Sequence, residues 1–271
     1  MTVRPSVRAQ PLSGRRIVIT RAKEQASGFR QLLKGAGAEV LEIPTIRIAP
    51  PDSWEPLDRA VEELERYRWV IFTSANGVEN FRRRLTGKGK DLRALRGARV
   101  AAIGPATAAA LEAWGIVPEL VPDEYRAEGL VERLRGLIRP EDQVLLPRAA
   151  ETRDLLVTEL QRLGARVTEV AAYRTLPVSE GALSLRSALK AGEVDVVTFT
   201  SSSTARNFAA MFSEAERRSL LRNVVVASIG PITAATAGEF GLDSRIMPQE
   251  YTIPALVRAI IEYYERKKGA T

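Results

Sequence analysis

At 271 residues, with 45% apolar and 27% charged side chains, the chain can bury a large core and form two domains. It has no cysteine and no histidine, which excludes disulfides, thiol nucleophiles, thiolate or imidazole metal sites and a Ser-His-Asp mechanism. The net charge of +7 rests on 40 basic residues, of which only seven are lysine, and the arginine fork suits carboxylates and phosphates.

The opening stretch, MTVRPSVRAQPLSGRR, has no apolar segment ahead of a cleavage site and predicts a loose tail ending near Gly14. No apolar run approaches the roughly 18 residues of a membrane span. A cytoplasmic protein without membrane contact is expected. Arg16–Thr20 (RIVIT) reads as a strand, followed by a helix over 25–34 that stops at Gly35-Ala36-Gly37 and a second strand over 38–43. Next come a strand at Trp69–Thr73, a helix from about Val78, a strand at Arg99–Ile103 and an alanine-rich helix over 107–114. A short fifth strand (116–121) and a helix (128–137) complete the unit. A second series then places strands at 143–147, 166–171, 194–200, 224–229 and 244–247. Apolar strands alternating with helices predict α/β architecture, a parallel sheet covered on both faces, with the flavodoxin-like order 2-1-3-4-5.

The two series are copies. VAAIGPATAAA (Val100–Ala110) returns as VASIGPITAAT (Val226–Thr236) with eight of eleven positions identical. Residues 15–47 align with 142–174 at an offset of 127, FTSANGVENF (72–81) with FTSSSTARNF (199–208), and VPDEYRAEGLVERL (121–134) with MPQEYTIPALVRAI (247–260). Ordered, evenly spaced segments of this kind mark an internal duplication.

After the second strand of each copy runs an extended, proline-bearing segment, IPTIRIAPPDSWEP (43–56) or VAAYRTLPVSE (170–180), whereas the junction at Arg139-Pro140-Glu141 is an ordinary short loop. This places the crossings between domains near 44–56 and 171–180. Domain I is then residues 1–47 with 176–271, its residues 1–13 the loose tail, and domain II is residues 48–175. A tandem split near residue 140 is the other division that periodicity allows.

Ligands of open α/β sheets bind at the carboxyl ends of the strands, where helix starts present unpaired N–H groups. The candidates for binding an anion there are Arg21 and Arg148 after the first strands. They are joined by Ser74, Ala75 and Asn76 with Ser201, Ser202 and Ser203 after the third. After the fourth come Gly104, Pro105 and Thr107 with Gly230, Pro231 and Thr233. Ser and Thr at a helix start normally cap it, a role expected of Thr107 and Thr233. For the arginines, an ion pair to Glu24 or Glu151 competes with anion binding. Tyr173 breaks the symmetry, standing where the first copy has Ile46. It suits either interdomain packing or a phenol donating to a leaving group at a cleft mouth.

A basic chain attracts a polyanion, nucleic acid or a small polycarboxylate. No aromatic-rich strand or recognition helix favours nucleic acid. A cytoplasmic two-lobed sensor module that binds a small anion without catalysis is compatible with the same pattern. No heptad or exposed apolar strand argues against a monomer.

VITRA (18–22), FTSANGV (72–78), AIGPATA (102–108), VAAYRT (170–175), FTSSST (199–204) and SIGPITA (228–234), in this order, resemble the uroporphyrinogen-III synthase family over about residues 14–265. The resemblance implies two flavodoxin-like domains joined by a two-stranded connector. It also implies a cofactor-free and metal-free lyase acting on hydroxymethylbilane, a linear tetrapyrrole with eight carboxylates. Such an enzyme removes the terminal hydroxyl as water, inverts the last pyrrole ring and closes the macrocycle. Tyr173 would then assist hydroxyl departure, and Ser74, Ser201, Ser202, Thr233 and the Gly-Pro turns would hold the carboxylate arms. The two Gly-Pro turns would form opposing rims of one cleft.

Overall fold

A computed structural model of the chain describes residues 10–151 and 155–269. Among these residues lie strands β1 (Arg16–Ile19), β2 (Glu39–Glu42), β3 (Ile46–Ala49), β4 (Trp69–Phe72), β5 (Arg99–Ala102), β6 (Gln143–Ala149), β7 (Arg166–Pro177), β8 (Val196–Phe199), β9 (Val225–Ser228) and β10 (Ser244–Ile246). The helices are α1 (Ala26–Gly35), α2 (Glu55–Glu62), α3 (Ala75–Gly87), α4 (Pro105–Ala113), α5 (Ala127–Leu134), α6 (Leu155–Arg162), α7 (Ala182–Lys190), α8 (Ser202–Ala210), α9 (Glu214–Leu220), α10 (Pro231–Gly238) and α11 (Ile253–Gly269). No described helix is long and apolar enough to cross a membrane.

The chain divides into two compact units, Met1–Arg47 with Leu176–Thr271, and Ile48–Thr175. The first holds the sheet β10-β9-β8-β1-β2, whose strands are parallel. Read by position within a copy this is the 2-1-3-4-5 order. The second sheet, β3-β7-β6-β4-β5, keeps the 2-1-3-4 part of that order, with β3 added beside the second strand and no full fifth strand. Strands such as β4 (WVIF) and β8 (VVTF) are buried at every position, because helices cover both faces. In the first unit Phe29 and Leu33 of α1 and Leu256 and Ile260 of α11 cover one face, and Leu185 of α7 with Phe208 of α8 the other. In the second unit Leu57 of α2, Phe81 of α3 and Leu111 of α4 oppose Leu130 of α5 and Leu160 of α6. Each fully buried Leu or Phe contributes about 1.5–3 kcal/mol of transfer free energy.

Four expectations are corrected. Leu12 is fully buried and its N–H donates to the Ala36 carbonyl, so residues 10–13 are anchored to the first unit; residues 1–9 of the expected tail lie outside the described residues. The strand expected over 116–121 shrinks to one bridge, Ala101 with Leu120. Pro118 has no N–H to continue the ladder. The segment 43–56 contains β3 and the start of α2, a helix opened by Pro56 and held by Leu57, Ala60 and Val61 on one face. The strand expected over 166–171 continues without a break to Pro177.

Tyr264, almost fully buried in the first unit, lies under the Arg15 guanidinium at 4.5 Å. Burial, and then the Asp195 charge, push its phenol up to about 12, against the opposing pull of Arg15. A folded pKa above the unfolded value of 10.0 gives stability that is complete below that value and lost as pH rises toward about 12. Urea midpoints should therefore fall between pH 10 and 12, and Tyr264→Phe should make that slope shallower.

Candidate functional site

In the second unit, β4 delivers Ser74 in extended conformation to the start of α3, where its Oγ accepts from the Gly77 N–H at 3.0 Å. This is a helix cap worth about 1 kcal/mol. Gly77 must be small, since a Cβ there would lie 2.9 Å from the Pro147 carbonyl oxygen. That contact seats the start of α3 on the end of β6. The neighbouring strand β7 brings Tyr173 to the same edge, with its hydroxyl 3.0 Å from the Ser74 Oγ. The phenol is buried, and burial raises its pKa against the smaller opposing effects of hydrogen bonds with Ser74 and Asn76. A neutral phenol in contact with a second hydroxyl can donate a proton or a hydrogen bond. Ser74, Asn76 and Tyr173 thus come together, with Ala75 between the first two.

β5 ends at the Gly-Pro turn. Gly104 is the cap residue of α4 with extended backbone and no side-chain cap bond, and Pro105 opens the helix. Thr107 is buried inside the first turn, so the expected capping role is not the one it takes. In the first unit Gly230 and Pro231 repeat this geometry, and Thr233 is likewise buried inside α10. The cap residues of α4 and α10 are Gly104 and Gly230, and side-chain caps occur instead at α3 and α8, through Ser74 and Ser201.

Ser201 forms a capping box with Thr204, and its Oγ lies 2.9 Å from the Ser203 Oγ. The Ser202 hydroxyl accepts from Thr236 Oγ1 at 2.9 Å, which ties α8 to α10. The same edge-on aromatic pair positions both serine loops. Phe72 meets Phe81 at 5.4 Å, and Phe199 meets Phe208 at 5.2 Å.

The two arginines differ. Arg148 is buried in β6 and donates to Glu169 of β7 at 2.7 Å, so its ion pair crosses to the adjacent strand and not to Glu151. Arg21 is half-buried, and no carboxylate among the described residues pairs with it, Glu24 included. Its Nε is buried without an acceptor. Burial lowers its pKa. Arg21 makes no bond to the serine loops.

Two residues escaped assignment from the pattern. A Cβ on Gly104 would lie 3.1 Å from the Tyr125 Cβ, and one on Gly230 would lie 3.2 Å from the Tyr251 ring. Each glycine is there because a tyrosine covers its turn. The signal was the Glu-Tyr pair repeated in VPDEY and MPQEY, which gave no reason for a ring to fold back.

The family model described as uroporphyrinogen-III synthase HemD matches residues 27–258. A uroporphyrinogen-III synthase of Synechococcus elongatus is 37% identical over 259 residues, covering 94% of this chain and 97% of that protein. A putative uroporphyrinogen-III synthase of Methanothermobacter thermautotrophicus is 34% identical over 251 residues, covering 90% and 96%. Among solved structures, a mutant uroporphyrinogen III synthase from the extremely thermophilic bacterium Thermus thermophilus aligns with a TM-score of 0.67 at 22% identity, covering 93% of this chain and 99% of that one. That last likeness concerns the fold.

Proposed function

This chain belongs to the uroporphyrinogen-III synthase family, and from that premise we propose that it converts hydroxymethylbilane to uroporphyrinogen III as a cyclising hydro-lyase. The electron-rich terminal pyrrole expels the hydroxyl, Tyr173 donates to the departing oxygen, and water leaves. Ring inversion and closure follow on the held chain, a task of orientation more than of acid-base strength, and the proton lost from the carbon that closes the ring restores the phenol. The observation that carries this reading is the buried, protonated Tyr173 phenol 3.0 Å from Ser74. The acetate and propionate arms are held by N–H groups of the helix starts at Ala75, Asn76, Ser202 and Ser203 and beside Gly104-Pro105 and Gly230-Pro231. Hydroxyls of Ser74, Ser201, Thr107 and Thr233 support those turns. Arg21 supplies a cation that no carboxylate among the described residues neutralises. Arg148 is held by Glu169, and its part is to fix the β6 edge beside Tyr173.

The deciding experiment incubates the purified protein with enzymatically generated hydroxymethylbilane and separates the products. Excess type III isomer is expected; type I alone, the spontaneous product, rejects the proposal.

The tyrosine-covered turns give a further test. Gly104 and Gly230 have extended backbones that any residue adopts, so only space opposes alanine. The Tyr125 Cβ or the Tyr251 ring must give way by a few tenths of an ångström. Gly104→Ala and Gly230→Ala should each lose about 1 kcal/mol or less in urea titrations. Each should raise KM about threefold by shifting the turn that holds an arm, as steady-state kinetics would report.

A further inference from the structure

A groove of about 740 Å3 in the first unit is lined by Arg21, by Gln25, Gly28 and Leu32 along α1, and by Ile253 and Pro254 at the start of α11. Its floor is the buried ring of Phe29. Two independent observations set it apart from an incidental surface depression. The first is the state of Arg21, whose Nε is buried with no acceptor and whose guanidinium has no carboxylate partner among the described residues. A half-buried cation left in this way is costly unless something else supplies the anion.

The second concerns glycine. Gly28 and Gly35 belong to α1, both line the groove, and a Cβ on either would meet no atom within 4 Å. Neither has a positive φ. For Gly28, packing and backbone conformation give no reason for glycine, which costs up to about 1 kcal/mol against alanine inside a helix, whereas Gly35 is the last residue of α1, where glycine suits the stop. What the two residues have in common is the open trough they border. They stand about 10 Å apart along the helix axis. Phe29, Leu32, Ile253 and Pro254 give the trough an apolar lining, Gln25 and Gln31 add polar groups, and Arg21 makes it cationic at one end. That combination fits a flat apolar ring carrying a carboxylate arm.

We propose that this groove binds one carboxylate-bearing pyrrole ring of the tetrapyrrole, with the carboxylate on Arg21 and the ring lying over Gly28. The assignment rests on the functional reading above and adds to it a subsite and its occupant. Arg21 provides the charged end, and the missing side chain at Gly28 provides the room.

Three variants test it: Arg21→Gln, Arg21→Lys and Gly28→Leu. The probes are uroporphyrin III, a stable fluorescent tetrapyrrole, porphobilinogen, a single pyrrole with two carboxylates, and glutarate, which has the carboxylates without a ring. Arg21→Gln should raise the Kd for uroporphyrin III about tenfold, the weight of one charge-assisted hydrogen bond, with Arg21→Lys in between. Gly28→Leu should raise the same Kd about tenfold while its melting temperature stays at or above that of the parent, since leucine is the better helix former. Porphobilinogen should follow the same order of variants. The proposal is overturned if Arg21→Gln and Gly28→Leu both bind uroporphyrin III within twofold of the parent. It is also overturned if glutarate binds the parent as tightly as porphobilinogen does, which would make the groove a site for free carboxylates. Failure of the parent to form type III isomer would reject the enzymatic reading instead, and the isomer assay separates that result from these.

Discussion

Tyr173→Phe should lower the rate of type III formation about 100-fold, the usual contribution of a positioned proton donor. The substitution removes one oxygen and leaves the ring in the core cluster it shares with Phe72 and Val170. Ser74 keeps its bond from the Gly77 N–H, so the cap of α3 survives. The loss in stability should be about 1 kcal/mol, one hydrogen bond. A rapid-quench assay with product separation would read both consequences: less type III and a larger share of spontaneous type I. Because burial raises the phenol pKa, the proton is held beyond the pH where a free tyrosine releases it. The tyrosine-dependent rate should therefore stay level through neutral pH and decline only above about pH 10. Type III formation within twofold of the parent would remove Tyr173 from the mechanism.

Gly77→Ala should damage both stability and positioning at this edge. The added Cβ would stand 2.9 Å from the Pro147 carbonyl oxygen, a backbone atom that cannot swing aside, and 3.3 Å from the Ser74 Oγ. Overpacking of this kind costs about 1–3 kcal/mol, more than the helix preference of alanine returns. A melting temperature about 5 °C lower is expected by calorimetry. The start of α3 must lift from β6 and carry Ser74 away from Tyr173, so kcat should fall about tenfold as well, a separate loss of positioning. Gly28→Ala makes the same chemical change in open space and should leave the melting temperature unchanged or raise it. Equal melting temperatures for Gly77→Ala and the parent would show that the contact does not restrain the helix.

Much of the fold was legible because strands buried on both faces need continuous apolar runs. RIVI, WVIF and VVTF announce themselves in that way, and glycine-bounded amphipathic stretches announce the helices between them. The exceptions have local causes. Pro118 interrupts a run that otherwise reads as a strand. The helix α2 is eight residues long and follows several prolines, which hid its apolar face. The site was legible in outline, since the repeated strand ends pointed to the residues that line each edge. What each one does there was less so. Thr107 and Ser74 both follow a strand and precede a helix, yet only Ser74 caps, because the Gly-Pro turn starts its helix ahead of the threonine.

The sequence by itself determined the repeated α/β units, the parallel sheets, the family and the absence of histidine and thiol chemistry, since all of these depend on residue type and spacing along the chain. Only the tertiary structure decided the partners. Ser74 meets Tyr173 across 99 residues, Arg148 takes Glu169 from the adjacent strand in place of the nearby Glu151, and Arg21 is left with no carboxylate among the described residues. Hydrogen bonds and ion pairs reach only a few ångströms, so the choice among chemically equivalent partners depends on strand register and helix seating. Proximity in sequence does not encode that choice.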